Sequence, residues 1–458
     1  MKKKSFTPYL KGKSITMRTN HIVNTLASRF SNLHDLKTIK KQVTHLPERN
    51  ETMTGFEPYQ IKSHVDRQLR DLYIPTEQDL NLLQKFVGVA KDHHEKTYPS
   101  DIQYLQGLYT SYKHFEAQQQ FPICLTGPAG VGKTSLLSAL DRLLPSPTEL
   151  HIEDGIGPIR LCTHWHMQAQ ARASFGDMVW PFIEQELGEN KKIPTQSRAV
   201  GISSKTAFKS GVALIVVDEM QFLTQGHSAH AAITKLLYQL SHIGKPFVFA
   251  ANYSLCSILK RRPEQDRQRL LSTPVVLTPS DPDSMDWVDY LRAVAHVLGP
   301  SLQIDIMQDR HSLYHLTAGL KRFVRQLLGH SYQLAWQKGQ HHITMEEVKA
   351  AYDHTEYSVS REQAQAMLSP HSYKSAEYVC PFPLPKTKAD ALLRTQKNHY
   401  SEQLISQVQQ NVLLKSEKKV LEETKAPKPS TRPKRSKLTA DELRQANSRR
   451  LNQGSAGQ

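Results

Sequence analysis

The sequence predicts an α/β fold: a parallel sheet flanked by helices, then a C-terminal helical lid, with flexible basic tails. Three observations carry this. Short apolar runs without in/out alternation recur between helical stretches in the middle of the chain, as strands buried on both faces require. One such run ends in a glycine-rich turn with a single lysine, in FPICLTGPAGVGKTSLL at residues 121–137. Another, ALIVVDE, ends in two acids.

Taken in order, residues 1–60 are polar, basic and turn-rich, and are expected to form a partly ordered arm. Residues 61–118 become helical. In DLNLLQKFVGVAKD, Leu80, Leu83, Phe86 and Val87 recur at three- and four-residue spacing. Residues 119–282 alternate strand and helix: ICLT, TSLLSALDRLL, PIRLC, FGDMVWPFIEQEL, VALIVVD, HAAITKLLYQL, PFVFAAN, a helix around Leu255 to Leu270, and PVVLTP. Helices joining such strands imply a parallel sheet. Residues 283–384 carry only helical patterns, WVDYLRAVAHVLG, LKRFVRQLLGHSYQLAWQKG and ITMEEVKAAYDHTE, the last with a Thr344 and Glu347 capping box. Residues 385–458 are rich in Lys, Gln and Pro and are expected to be flexible, closing in one short helix.

Composition narrows the function. No apolar run approaches the roughly 18 residues that span a bilayer. The N-terminal MKKKSFTPYLKGKS lacks the apolar segment of about 7–15 residues of a secretory signal, so a cytoplasmic protein without a membrane partner is expected. Cys124, Cys162, Cys256 and Cys380 show no CxxC spacing and read as small buried hydrophobes, neither staples nor zinc ligands. The net charge of +16 points to polyanionic partners, and residues 415–437 contribute nine basic side chains against three acids.

The turn Gly127-x-x-x-x-Gly132-Lys133-Thr134 fits a Walker A loop in its required strand–loop–helix context. Gly127, Pro128, Ala129, Gly130, Val131, Gly132, Lys133, Thr134 and Ser135 would then cradle the phosphates of ATP. The glycines let backbone N–H groups turn inward, Lys133 neutralises the β- and γ-phosphates, and the Thr134 hydroxyl ligates Mg2+. Asp218, at the end of a buried strand, is placed to hold the same magnesium, and Glu219 to polarise the attacking water. Asn252, at the end of PFVFAAN, is placed to orient the water or the γ-phosphate. Arg261, Arg262, Arg267 and Arg269 crowd LKRRPEQDRQRLL. Such a cluster is either a solvated face or the source of an arginine reaching a neighbouring subunit's nucleotide, with Arg269 the first candidate and Arg267 the second. Arg322 in TAGLKRFVRQLL is placed to return from the helical lid to the same nucleotide.

Other features are expected to be inert. His164-Trp165-His166, His93-His94 and His341-His342 give no metal site, on the reasoning that adjacent histidines in a strand face opposite ways and no Cys or acid completes a set.

Walker A, the DE pair, the sensor asparagine, the arginine cluster and the lid arginine together resemble the AAA+ ATPases over residues 100–355. Within that class VVDEMQFL and IGKPFVFAAN are similar to the corresponding segments of the TnsC/TniB-type regulators of bacterial transposition. The sensor strand departs from that pattern, ending in AAN where many relatives have Gly-Thr. The resemblance implies a DNA-associated ATPase that assembles as a ring or helical filament on double-stranded DNA. It further implies links to a target-selector protein or guide-RNA complex and, through the basic tail, to transposase subunits, with disassembly on hydrolysis. Lys191, Lys192, Arg198, Lys205 and Lys209 are the candidate DNA-facing residues. A helicase loader or replication initiator of the same class, or a nucleotide-gated scaffold with almost no hydrolysis, remains the alternative.

Overall fold

The structure is a computed structural model that describes residues 15–17, 25–53, 55–109, 117–152, 158–171, 173–184, 195–224, 229–369 and 378–384. The tail from residue 385, with its expected terminal helix, and the candidates Lys191 and Lys192 lie outside the described residues.

The first elements are β1 (Ile15–Met17), α1 (Thr25–Ser28), α2 (Leu36–Val43), α3 (Pro58–Asp71), α4 (Glu77–Thr97) and α5 (Asp101–Tyr109). Each longer helix begins where a polar side chain caps orphan N–H groups. Asp35 accepts from Thr38 N at 2.9 Å, and Thr76 and Asp79 cap each other's backbone N–H groups at 3.0 Å. Residues 25–53 are more ordered than an arm. Phe30, Ile39 and Val43 are completely buried, and an Arg142 guanidinium donates to Val43 O at 3.1 Å. Sparse apolar residues in a basic stretch hid this packing.

The central sheet is parallel, with strand order β5 (His164–Gln168), β6 (Leu214–Asp218), β7 (Phe247–Ala251), β2 (Pro122–Thr126) and β8 (Thr273–Val276). Every residue of β2, β6 and β7 is buried, which explains their unbroken apolar runs. Alternate side chains divide between two cores. Leu125, Val216 and Val248 face α6 (Lys133–Leu143), while Cys124, Val217 and Phe249 face α7 (Phe175–Ile183), α8 (Gln196–Lys209), α9 (Ala229–Ser241) and α10 (Tyr253–Lys260). A short α11 (Glu264–Leu270) leads into β8.

One expected strand sits elsewhere. PIRLC contributes β4 (Ile159–Leu161), which pairs antiparallel with β3 (Thr148–Ile152) in a separate sheet of order β1-β3-β4. Its place in the main sheet is taken by β5, from the segment HWHMQ. As an edge strand β5 alternates, burying Trp165 and Met167 while His164 and His166 stay half-buried, so it carries no apolar run. His164 and His166 stand two residues apart and share one face, contrary to the opposite-face expectation. Asp141 of α6 lies between them, with its carboxylate oxygens 3.0 Å from His164 Nε2 and 2.5 Å from His166 Nδ1.

The C-terminal helices are α12 (Met285–Leu298), α13 (Ile306–Thr317), α14 (Lys321–Gln337), α15 (Met345–Asp353) and α16 (Ser358–Leu368). The expected capping box holds, with Thr344 N donating to Glu347 at 2.8 Å. Between α13 and α14 the chain turns through Gly319 at φ 66°, where a Cβ would come within 2.4 Å of the Tyr314 ring. That turn starts α14 at Lys321 and sets Arg322 in its first turn. α14 then runs against α3 closely enough that a Cβ on Gly329 would stand 3.2 Å from Asp66 Oδ1. The end of α3 and the start of α14 thus line one cleft with the Walker loop, while α2 and α4 pack against α6.

Candidate active site

At the carboxyl ends of the central strands lies a cleft of about 620 Å³, within the size range of nucleotide and cofactor pockets. Its floor is the Walker loop. Gly130 and Gly132 have φ of 83° and 114°, conformations that a side chain resists, and Gly132 heads α6. The orphan N–H groups of that helix N-terminus therefore point into the cleft, as phosphate binding requires.

Lys133 is only 9% exposed, and its Nζ donates to Gly127 O at 2.8 Å and Pro128 O at 3.0 Å. Burial lowers its pKa to about 8, and Arg322 adds to that, against the opposing pull of Glu219 and Asp218. Thr134 and Ser135 are exposed to the cleft beside it.

Asp218 ends β6, buried to 3% exposure, and its Oδ1 accepts from Glu219 N at 2.7 Å. Glu219 adopts φ 59°, a strained left-handed conformation costing roughly 1–3 kcal/mol. The turn leaves the Glu219 carboxylate lining the cleft, where the Gln221 side-chain amide donates to it. Asn252, N-cap of α10, lines the same cleft. Thr134 and Asp218 offer a hydroxyl and a carboxylate, the hard oxygen donors that suit Mg2+.

The lid residue Arg322 lines the cleft. Arg322 lies on the loop so closely that a Cβ on Gly130 would stand 3.0 Å from Arg322 Cβ. Lys133, Thr134, Ser135, Asp218, Glu219, Asn252 and Arg322 are thus brought to one cleft. Arg267 and Arg269 are not part of it. Both are exposed on α11, while Arg262 is paired with Asp266 at 3.1 Å.

The candidate DNA-facing residues divide. Arg198 is exposed on α8 and Lys209 half-buried at its end. Lys205 is turned inward: its Nζ donates to the carbonyls of Gly107 and, at 2.9 Å, Leu108, capping the end of α5. That placement turns its ammonium toward α5. A lysine four residues from a helix end gives no sign in sequence that another helix's carbonyls await it.

Several further residues line the cleft. Arg325 follows Arg322 by three residues on the same helical face, a spacing that signals it. Leu69, Arg70, Leu72 and Tyr73 come from α3 and the turn after it, and only the α3–α14 packing brings them in. Lys321 sits over the rings of Tyr73 and Tyr290 at 5.7 and 5.5 Å. Arg325 Nε is 3.9 Å from Asp66 Oδ1; burial lowers its pKa, Asp66 opposes this, and Arg70 and Arg322 reinforce it. Among the described residues the cleft lining holds five basic side chains against two acids, an excess that suits a polyphosphate.

Residues 117–259 match the family described as an AAA domain. No curated protein matches the chain in sequence. Similar solved structures include the Aeropyrum pernix ORC2 protein in ADPNP–ADP complexes, at 13% identity over 73% of this chain and 97% of that one, TM-score 0.39. Others are the Aeropyrum pernix ORC1 protein in complex with DNA (16%, 62% and 68%, TM-score 0.34) and domain III of the Thermotoga maritima replication initiation protein DnaA (15%, 54% and 88%, TM-score 0.31). Similarity this low says nothing about what this chain binds. The AAA-domain match, the Walker loop and the five-stranded parallel sheet flanked by helices give the chain the AAA+ P-loop fold.

Proposed function

We propose that the chain is an ATP-hydrolysing AAA+ switch of TnsC/TniB type, which assembles on duplex DNA and regulates transposition. The observation that carries the ATPase reading is the meeting of Lys133, Thr134, Asp218, Glu219, Asn252 and Arg322 in one cleft from four separate segments. Lys133 exchanges its bonds to the Gly127 and Pro128 carbonyls for the β- and γ-phosphate oxygens. Glu219 accepts the proton of the attacking water, and Asn252 orients that water. Arg322 offsets the charge that builds on the transferred phosphoryl group. A magnesium ion held by Thr134 and Asp218 would supply further neutralisation of the phosphates.

The exposed Arg269 and Arg267 lie away from their own cleft, which favours an action on a neighbouring subunit. A net charge of +16, with Arg198 and Lys209 on α8, supports contact with a phosphate backbone. The DNA-facing set extends to Lys191 and Lys192. The transposition role rests on the VVDEMQFL and IGKPFVFAAN segments. It implies links through the basic tail to transposase subunits, and to a selector protein or guide-RNA complex. A loader or initiator of the same class is the second reading, favoured by the general AAA+ plan.

Sedimentation and electron micrographs with duplex DNA and a non-hydrolysable ATP analogue test the switch. Assembly is expected with the analogue and lost in Lys133→Ala. A wild-type chain that stays monomeric and ignores DNA whether or not nucleotide is present sinks the reading. Mixing subunits that lack Lys133 with subunits that lack Arg269 should partly restore hydrolysis, and no rescue removes Arg269 from a role in trans.

A further inference from the structure

Cys124 and Cys256 are small buried hydrophobes in the core, as the sequence leads one to expect, and they also meet each other. Cys124 and Cys256, which are 132 residues apart in the chain, place their Sγ atoms 3.5 Å from each other. Both side chains are completely buried. Cys124 lies in β2, three residues before Gly127, the first glycine of the Walker loop. Cys256 lies one helical turn after Asn252, in α10.

A third thiol stands nearby. Cys380 is half-buried, shares a hydrogen bond with Tyr253 at the start of α10, and lies within electrostatic range of Cys256. Its segment is fastened to α10, with Lys260 Nζ donating to Pro381 O and lying 5.5 Å over the Phe382 ring. Three of the four cysteines therefore converge behind the nucleotide cleft.

We propose that Cys124 and Cys256 form a redox modification site: a hydroperoxide oxidises them to a disulfide that locks the Walker loop's strand to α10 and suppresses hydrolysis. The functional consequence rests on the ATPase reading above, whereas the bond itself does not. A disulfide needs its sulfurs at about 2.05 Å, so the pair must close by roughly 1.5 Å. That closure moves α10, and Asn252 at its head, relative to the loop. Displacements of about 1 Å at a reacting centre cost on the order of 100-fold in rate.

The two thiols are also unequal. A hydrogen bond from Cys124 lowers the pKa of Cys256, burial opposes this, and the charge of Lys133 adds to the lowering. Burial raises that of Cys124. In the proposed step Cys256 is the attacking sulfur. Its thiolate attacks one oxygen of hydrogen peroxide, the O–O bond breaks, and a sulfenic acid forms as hydroxide leaves. Cys124 then attacks the Cys256 sulfur, the S–O bond breaks, and the hydroxyl departs as water with the Cys124 proton. Overall the two thiols lose two electrons and one peroxide is reduced to two waters.

The test treats the full chain with hydrogen peroxide, blocks remaining thiols and digests without reductant. The expected result is a Cys124–Cys256 linked peptide, lighter by two hydrogens than its parts, with turnover falling about tenfold or more and restored by dithiothreitol. Cys124→Ala and Cys256→Ala should keep basal turnover and lose the peroxide response. A Cys256–Cys380 link instead, or no link under conditions that oxidise Cys380, overturns the proposal. So does equal inactivation of Cys256→Ala. The linked peptide is read on the unmutated chain, so poor folding of a variant does not decide the matter. A reduced protein without turnover would count against the ATPase reading alone.

Discussion

The buried Lys133 makes nucleotide affinity depend on pH in a calculable way. Its Nζ must be charged to attract phosphate, yet burial has brought its pKa down to about 8. With that pKa it is about nine-tenths protonated at pH 7 and about one-tenth at pH 9. Phosphate oxygens beside the ammonium raise the pKa in the complex, so binding above pH 8 must take up a proton. Apparent affinity is therefore full below the free-protein value and falls as pH rises through it. Between pH 7 and 9 the dissociation constant should rise about tenfold, or about 1.4 kcal/mol. Titration of a fluorescent ATP analogue across that range measures it. Lys133→Met should bind more weakly at pH 7 and show a flat profile. A flat profile in the unmutated chain, or the same slope in Lys133→Met, would refute the reasoning.

Three further outcomes follow from the same geometry. Glu219→Gln keeps the hydrogen-bonding shape but cannot accept a proton. Turnover should fall by about 100-fold or more with analogue affinity little changed, and unaltered turnover would remove Glu219 as the base. Gly130→Ala and Gly132→Ala both force a side chain into positive φ, but only at Gly130 does the new Cβ meet Arg322. Gly130→Ala should therefore weaken binding more, and the reverse order, read by the same titration, would contradict the placement of Arg322. On β5, burial lowers the pKa of His166, but the hydrogen bond and charge of Asp141 outweigh it and raise the value. The resulting stability is fully present below the unfolded histidine pKa and lost as pH rises through the folded one. Asp141→Asn should thus destabilise by about 1–3 kcal/mol in urea titrations near pH 6, and by less at pH 8.

What sequence alone determined is the part of the protein built from local rules. Strands buried on both faces must be continuously apolar, so ICLT, ALIVVD and PFVFAA were readable. A loop that wraps phosphate needs glycine at positive φ and one lysine, so residues 127–134 were readable as well. Arg322 followed from the glycine turn before it. Edge position obscured β5, because a half-covered strand alternates and HWHMQ offers no run to recognise. Tertiary structure decided what depends on separate segments meeting. Arg70 and Tyr73 enter the cleft only because α3 packs on α14, and Lys205 leaves the surface only because the end of α5 offers it carbonyls. The meeting of Cys124 with Cys256 is of the same kind. Spacing along a chain encodes which face a residue takes within its own element. The partner across the gap is set by how the elements pack, which no local pattern records.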